Sequence, residues 1–305
     1  MRIAHFSDLH LLDLTEVGVH RFLNKRFVGY ANLRLKRAHV HRAAYVGAIA
    51  REVRRLDVAH VVITGDLTNL ALETEFAMAR NLLERDLGLD PSRVTIVPGN
   101  HDLYTRGAER KKRFAEYIGH YMKSDLPDLA VEVAAGAFPI VKLRDHVAFI
   151  GLSSAVPRPP FVASGRLGEE QLDALARVLA HPEVARRTAV VAVHHPAHNP
   201  PSRLKARVEG LDDADALLAQ IAKLDHCLLL HGHLHRRIQR VTATTRGKFF
   251  AVGATSASLD HDDEARMAGF NAYEIGDDGA IASVEAHVYE PARESFRIDS
   301  VPKLV

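Results

Sequence analysis

Six short apolar runs punctuate this chain, and five of them end in residues with metal-ligating side chains. The runs are RIAHFS (2–7), AHVVITG (59–65), RVTIVPG (93–99), HVAFIGLS (146–153), TAVVAVH (188–194) and CLLLHG (227–232). Continuous β-rich apolar stretches of this length read as strands buried on both faces. Five lead into Asp8-Leu9-His10, Asp66, Asn100-His101-Asp102, His194-His195 and His233-Leu234-His235. In open α/β sheets, ligands bind beyond the carboxyl ends of the strands. The pattern therefore confines the chain to layered α/β architecture, with Asp, Asn and His gathered along one sheet edge.

Amphipathic stretches fill the gaps between runs. The spacing predicts helices over 41–56 (Tyr45, Ile49, Val53, Leu56), 72–87 (Phe76, Ala79, Leu82, Leu83), 168–180 (Leu172, Leu175, Val178, Leu179) and 212–224 (Leu217, Leu218, Ile221). Asp212 or Asp213 is placed to cap the last of these. From residue 237 the pattern changes to strands joined by tight turns, with GDDGA (276–280) as a hairpin signal. No Pro/Gly/Ser-rich linker divides the 305 residues. One domain over 1–305 is expected, with the strands of 237–290 completing a second sheet.

Composition narrows the function classes. A net charge of +2 offers no whole-chain argument for nucleic-acid binding. The one cysteine, Cys227, sits in an apolar run and excludes an internal disulfide. MRIAHFSDLH lacks the features of a secretory signal, and a cytoplasmic protein is expected.

Each strand-end motif alone has a structural explanation. Asp-x-His and Gly-Asp are common in turns, and a strand-end histidine is usually a satisfied core or surface group. Together the five form a mixed oxygen and nitrogen donor set, which suits Mn, Fe, Co or Zn. Residues two apart in an extended segment point the same way. On that basis Asp8 and His10 can share a face, as can His233 and His235.

The series Asp8-x-His10, Gly65-Asp66, Gly99-Asn100-His101-Asp102, His194-His195-Pro196 and Gly232-His233-x-His235 resembles the calcineurin-like metallophosphoesterase family. The resemblance spans about residues 1–240, in family order. The His-His-Pro and Gly-Asp-x-x-Asn forms are similar to the bacterial class III cyclic-nucleotide phosphodiesterase and glycerophosphodiesterase branch. It implies a four-layer α-β-β-α sandwich of two mixed β-sheets flanked by helices. It implies two ions of Mn, Fe, Co or Zn. Asp8, His10 and His235 would hold one, Asn100, His194 and His233 the other, and Asp66 would bridge them. It also implies in-line attack on phosphorus by a metal-bridging hydroxide, with His101 beside the substrate and Asp102 orienting the His101 ring. Asp102 has a second explanation as a helix N-cap. Asn69 and His198 are further candidates for substrate contact, each with a plain loop or turn alternative. In the branch that the chain resembles the first histidine of the pair is the ligand, which selects His194; adjacent strand residues face opposite ways, so His195 is expected to point elsewhere.

The window from Val17 to Arg51 contains no Asp or Glu. Its basic, partly apolar part at 17–42 is expected at the active-site rim, and residues 20–37 could rest on an anionic membrane. The expected partner is a small phosphate ester. Rival readings are a lipid-linked nucleotide pyrophosphatase, similar to UDP-diacylglucosamine hydrolases, and a non-catalytic scaffold of the same fold. The pyrophosphatase branch usually has Arg at the position of His101, and scaffolds lose ligand residues that are all present here.

Overall fold

The computed structural model describes residues 1–14, 41–159, 161–244 and 247–304. Residues 17–40 of the basic segment, and with them the membrane contact expected for 20–37, lie outside the described residues. Two six-stranded mixed sheets dominate. The first contains β1 (Arg2–Phe6), β2 (His60–Ile63), β3 (Val94–Ile96), β12 (Gly269–Ile275), β13 (Ile281–Glu290) and β14 (Ser295–Ser300), in the order β14-β13-β12-β1-β2-β3. The second contains β6 (Ile140–Arg144), β7 (Val147–Gly151), β8 (Thr188–Ala192), β9 (His226–His231), β10 (Ile238–Ala243) and β11 (Lys248–Gly253), in the order β10-β11-β9-β8-β7-β6. The short hairpin β4 (Val131–Val133) and β5 (Gly136–Phe138) stands apart. Strands β1, β2 and β3 run parallel, as do β7, β8 and β9. Their carboxyl ends therefore open on one edge of each sheet.

The second sheet shows how the layers form. Phe149, Val190, Ala192, Leu228 and Leu230 join the buried cluster shared with the first sheet. Their strand neighbours Ala148, Ile150, Ala189, Val191, Cys227 and Leu229 turn to a second cluster under helices. This alternation is the period-two geometry of a strand with both faces covered. Between the sheets, His60 stacks on Phe149 with ring centroids 3.6 Å apart. Helices α1 (Ala43–Arg55) and α2 (Glu73–Leu82) bury Val46, Ile49, Val53, Phe76 and Ala79 in the first cluster. Helices α3 (Glu169–Ala180) and α4 (Ala214–Ile221) bury Leu172, Leu175, Val178, Leu217 and Ile221 in the second. All four helices lie where the spacing predicts them. No helix among the described residues is long and apolar enough to cross a membrane.

Two expectations are corrected. The strands after residue 237 do not complete one sheet; β10 and β11 extend the second, whereas β12, β13 and β14 extend the first. The open edge of β1 requires a partner, and β12 supplies it antiparallel, itself almost wholly buried. Asp213 occupies the N-cap position of α4, but its carboxylate accepts hydrogen bonds from the Leu167 and Gly168 amides instead.

Lys142 on β6 is 1% exposed, and its ammonium donates to the carbonyls of Pro91 (2.6 Å), Tyr121 (2.9 Å) and Val94. Burial, helped by Arg144, pushes its pKa down from 10.5 to about 8. Lys142→Met removes the ammonium from three carbonyls, two of them on the buried residues Val94 and Tyr121, a loss of about 2–4 kcal/mol near neutral pH. Between about pH 8 and 10.5 the unfolded chain binds a proton at Lys142 that the folded chain has released. Unfolding free energy at this site therefore rises with pH across that window. Urea titrations at pH 7 and pH 10 should show the wild-type advantage over Lys142→Met growing; a constant gap would contradict the shifted lysine.

Candidate metal centre

Each strand end contributes as its backbone leaves the sheet. Asp8 and His10 follow β1, Asp66 follows β2, Asn100 and His101 follow β3, His194 follows β8, and His233 and His235 follow β9. The two sheets join at this edge. The His233 amide donates to Asp8 Oδ2 at 3.0 Å, and His194 Nδ1 donates to the Thr64 carbonyl at 2.6 Å. A Cβ on Gly232 would lie 1.9 Å from Ser7 Oγ and 2.4 Å from Asp8 Oδ2, so the approach requires glycine there.

The near pairs converge by a different route from strand alternation. Asp8, His10, Asp66, His233 and His235 have φ of 53°, 45°, 50°, 68° and 48°. Each lies in the left-handed region, beyond the end of its strand. Such backbone costs of order 1–3 kcal/mol per residue and clusters at functional sites.

The donor atoms form two sets. In one, Asp8 Oδ1 lies 3.2 Å from His235 Nε2 and 3.9 Å from His10 Nε2. His10 Nε2 is 2.9 Å from His235 Nε2 and 3.8 Å from Asp66 Oδ2. In the other, His194 Nε2 lies 3.4 Å from Asp66 Oδ2 and 3.1 Å from Asn100 Oδ1, and His233 Nδ1 lies 3.1 Å from Asn100 Oδ1. Asp66 Oδ2 belongs to both. Two donors about 2.1 Å from one ion, at angles near 90–130°, are roughly 3–3.8 Å apart. The spacings match. Asp8 Oδ1 is buried and without a hydrogen-bond partner among the described residues, as an oxygen reserved for a cation would be.

Electrostatics agree. Burial would raise the Asp66 carboxyl, but His194, His101 and His10 hold it well below the usual carboxylate range. Burial likewise opposes the Asp8 charge, and His235 restores it. Burial keeps His10 and His233 neutral, the latter pushed down to about 3. At His194 burial is overcome by Asp66, and the pKa rises to about 9. With Nδ1 committed to Thr64, His194 presents Nε2 to the cluster, where a metal cation would compete with that proton.

The neighbouring candidates sort differently. The His101 ring is held through Nδ1 by the Asn69 carbonyl at 2.7 Å, and its centroid is 4.9 Å from that of His10. Asp102 therefore does not orient it. The buried Asp102 carboxylate accepts from the amides of Leu67, Thr68 and Gly99 and from Thr68 Oγ1, tying the turn after β2 to the turn after β3. Nor does Asp102 cap a helix, since the next one begins at Arg106 behind Thr105. Asn69, expected near substrate, is buried and spends its amide on the His10 carbonyl. His198 stacks against Phe249, outside the donor cluster. His195 reaches the cluster's edge, with its ring 4.5 Å from His233. Yet its Nε2 donates to the Ala163 carbonyl and its Nδ1 accepts from Ser154 Oγ, so neither nitrogen is available to an ion. His231 Nδ1 turns to the Gly232 carbonyl. Thr64 and Asn69 act through backbone carbonyls, which carry no residue-type signal in a sequence.

The calcineurin-like phosphoesterase family model matches residues 1–237. No curated protein matches the sequence. Among solved structures, a dimetal phosphatase from Danio rerio is 15% identical with a TM-score of 0.55, covering 94% of this chain and 95% of its own. A purple acid phosphatase from yellow lupin seeds (Lupinus luteus) is 10% identical with a TM-score of 0.57, over 99% of this chain and 54% of its own. The NAD nucleotidase of Haemophilus influenzae is 12% identical with a TM-score of 0.52, over 94% of this chain and 50% of its own. At these identities the likeness is one of fold.

Proposed function

The chain belongs to the calcineurin-like phosphoesterase family and is a metal-dependent hydrolase of phosphoric esters; on that premise we propose that it cleaves phosphodiesters at a dinuclear centre. The observation that carries the reading is the pair of donor sets sharing Asp66 Oδ2. Asp8, His10 and His235 would hold one ion and Asn100, His194 and His233 the other, with Asp66 placed to serve both. Two divalent ions of the Mn, Fe, Co or Zn group would supply a nucleophilic water at neutral pH and positive charge for the phosphate oxygens.

The residues set the charge of the site. Two carboxylates opposite two divalent cations leave roughly +2 to attract a phosphate. Asn100 adds a donor oxygen without cancelling another unit. His101, held at Nδ1 by Asn69, directs Nε2 to the substrate, where its protonated form donates to the leaving oxygen. Asp102 braces the two turns that hold Asp66 and Asn100. The diester preference follows the His194-His195-Pro196 and Gly65-Asp66-x-x-Asn69 forms. Residues 1–305 act as one catalytic domain, because both sheets feed the same buried cluster.

Purified protein should carry two transition-metal ions per chain and hydrolyse bis-p-nitrophenyl phosphate. Chelation should lower that activity at least a hundredfold, and Mn or Zn should restore it. Activity indifferent to chelator, in protein free of bound metal, would overturn the reading.

A further inference from the structure

We infer that this protein associates as a two-fold dimer, in which β14 of each copy pairs antiparallel with the other about Ile298 and joins the two first sheets into one. Nothing in this depends on the catalytic reading: the partner is a second copy of this chain.

The two large sheets have four edge strands, β3, β6, β10 and β14. Three of these edges are covered. β3 is buried along its length, and its Val94 carbonyl accepts from the Lys142 ammonium. At β6 the Val141 amide donates to Ser124 Oγ at 3.0 Å and the Leu143 amide to Asp125 Oδ2 at 2.7 Å. At β10 the segment that follows β14 returns, with the Gln239 amide donating to the Pro302 carbonyl and the Leu304 amide to the Gln239 carbonyl, both at 2.8 Å. β14 differs: no strand lies on its outer side among the described residues. Such an edge presents a row of amides and carbonyls that another strand can pair with.

The neighbouring strand determines which groups of β14 face outward. On β13 the Tyr289 amide donates to the Ala268 carbonyl at 2.9 Å, on the β12 side. Backbone groups alternate sides along an antiparallel strand, so those of Val288 and Ala286 face β14. Their register partners there are Arg297 and Asp299. The amides and carbonyls of Phe296, Ile298 and Ser300 therefore point away from the sheet. The Ser300 amide, with no strand to meet, donates to Asp299 Oδ1 at 2.7 Å.

The strand, SFRIDS, is complementary to itself. With Ile298 opposite its own copy, Phe296 faces Ser300 and Arg297 faces Asp299 of the second copy. The outward groups of Phe296, Ile298 and Ser300 then exchange about six backbone hydrogen bonds. Arg297 and Asp299 fall at the non-hydrogen-bonded positions, where side chains of opposite strands come closest. They already share one face of the strand, with Arg297 Nη1 3.0 Å from Asp299 Oδ2. On the other face Ile298, 61% exposed in the single chain, packs on its copy. The charges also fix the register. A slip of two residues either way sets Arg297 opposite Arg297, or Asp299 opposite Asp299, and like charges in that position are destabilising. The contact is the same patch on both copies, so it closes at two.

One short strand a side makes a small interface, so the dimer should be reversible and half-formed at roughly 10–100 µM chain. Sedimentation velocity on the purified full chain, from about 1 to 500 µM, should show monomer passing to dimer across that range. Ile298→Lys sets two ammonium groups at the two-fold axis, on a side chain exposed enough to leave the fold intact. Asp299→Arg sets arginine against Arg297 twice. Each should weaken association at least about tenfold, with the circular dichroism of the dilute protein unchanged. Mixing Asp299→Arg with Arg297→Asp restores opposite charges at both positions, and should give a mixed dimer that neither variant forms with itself. A wild type that stays monomeric up to the highest concentration, or a dimer that survives both Ile298→Lys and Asp299→Arg, would overturn the inference. Folded variants that do not associate on mixing would overturn the pairing of Arg297 with Asp299.

Discussion

Asp66→Ala is expected to lower kcat/KM for bis-p-nitrophenyl phosphate by about 10⁴-fold, or roughly 5.5 kcal/mol of transition-state stabilisation. Asp66 Oδ2 is 3.8 Å from His10 Nε2 and 3.4 Å from His194 Nε2, within reach of both sets. Its second oxygen, Oδ1, accepts the His101 amide at 2.8 Å. One substitution therefore removes the shared donor, half of the site's carboxylate charge and the anchor of the turn that carries His101. Metal content should fall below one ion per chain under conditions that leave wild type with two. The fold should survive, because the buried Asp66 side chain packs against polar donors at the sheet edge and not in either apolar cluster. Metal analysis by plasma emission, alongside steady-state kinetics, checks both parts. A variant with two ions and more than a tenth of wild-type activity would sink the bridging assignment.

Gly99→Ala should be nearly as damaging, though Gly99 donates nothing to an ion. A Cβ there would lie 2.1 Å from Asp66 Oδ1, 2.7 Å from Asp66 Cγ and 2.4 Å from the Asp66 backbone nitrogen. The side chain could swing aside, but the nitrogen belongs to a residue at φ 50° that follows Gly65 at φ 92°. The turn has no relaxed alternative, so overpacking of this kind costs about 3 kcal/mol or more. The Asp66 carboxylate would also be displaced from both donor sets, for a loss of about 10³ in kcat/KM, on the scale of misplaced catalytic geometry. Gly119→Ala is the control, since its added Cβ meets nothing within 4 Å. Urea midpoints and metal stoichiometry of both variants decide the matter. A Gly99→Ala protein with wild-type stability and two bound ions would show that the two turns are not locked together.

Much of the centre is legible in the amino-acid sequence because its parts lie at the ends of strands. A strand announces itself locally through apolar continuity, and the polar residue that follows marks where the chain leaves the sheet. The seven residues proposed as donors and the four helices are readable on those terms. The conformation that aims the donors is not. Leu9 and Leu234 suggest strand alternation, whereas the fold uses left-handed backbone at Asp8, His10, His233 and His235. Non-glycine residues adopt that region when surrounding contacts over-determine it, and those contacts are long-range. Asp102 shows the same limit. Next to His101 it looks like an orienting carboxylate, but folding brings the amides of Leu67, Thr68 and Gly99 to it instead.

The amino-acid sequence alone determined which residue types stand at which strand ends, and so the donor chemistry of the site. Tertiary structure alone decided that β12 to β14 join β1 while β10 and β11 join β9. It also decided that His195 spends both nitrogens on Ser154 and Ala163, and that Ser256 and Ser258 link the Asp8 carbonyl to His41. The division has one physical cause. Periodicity and turn chemistry act over a few residues. A hydrogen-bond partner depends instead on which group folding brings within about 3 Å, and between Asp8 and Ser256 that group is 248 residues away along the chain.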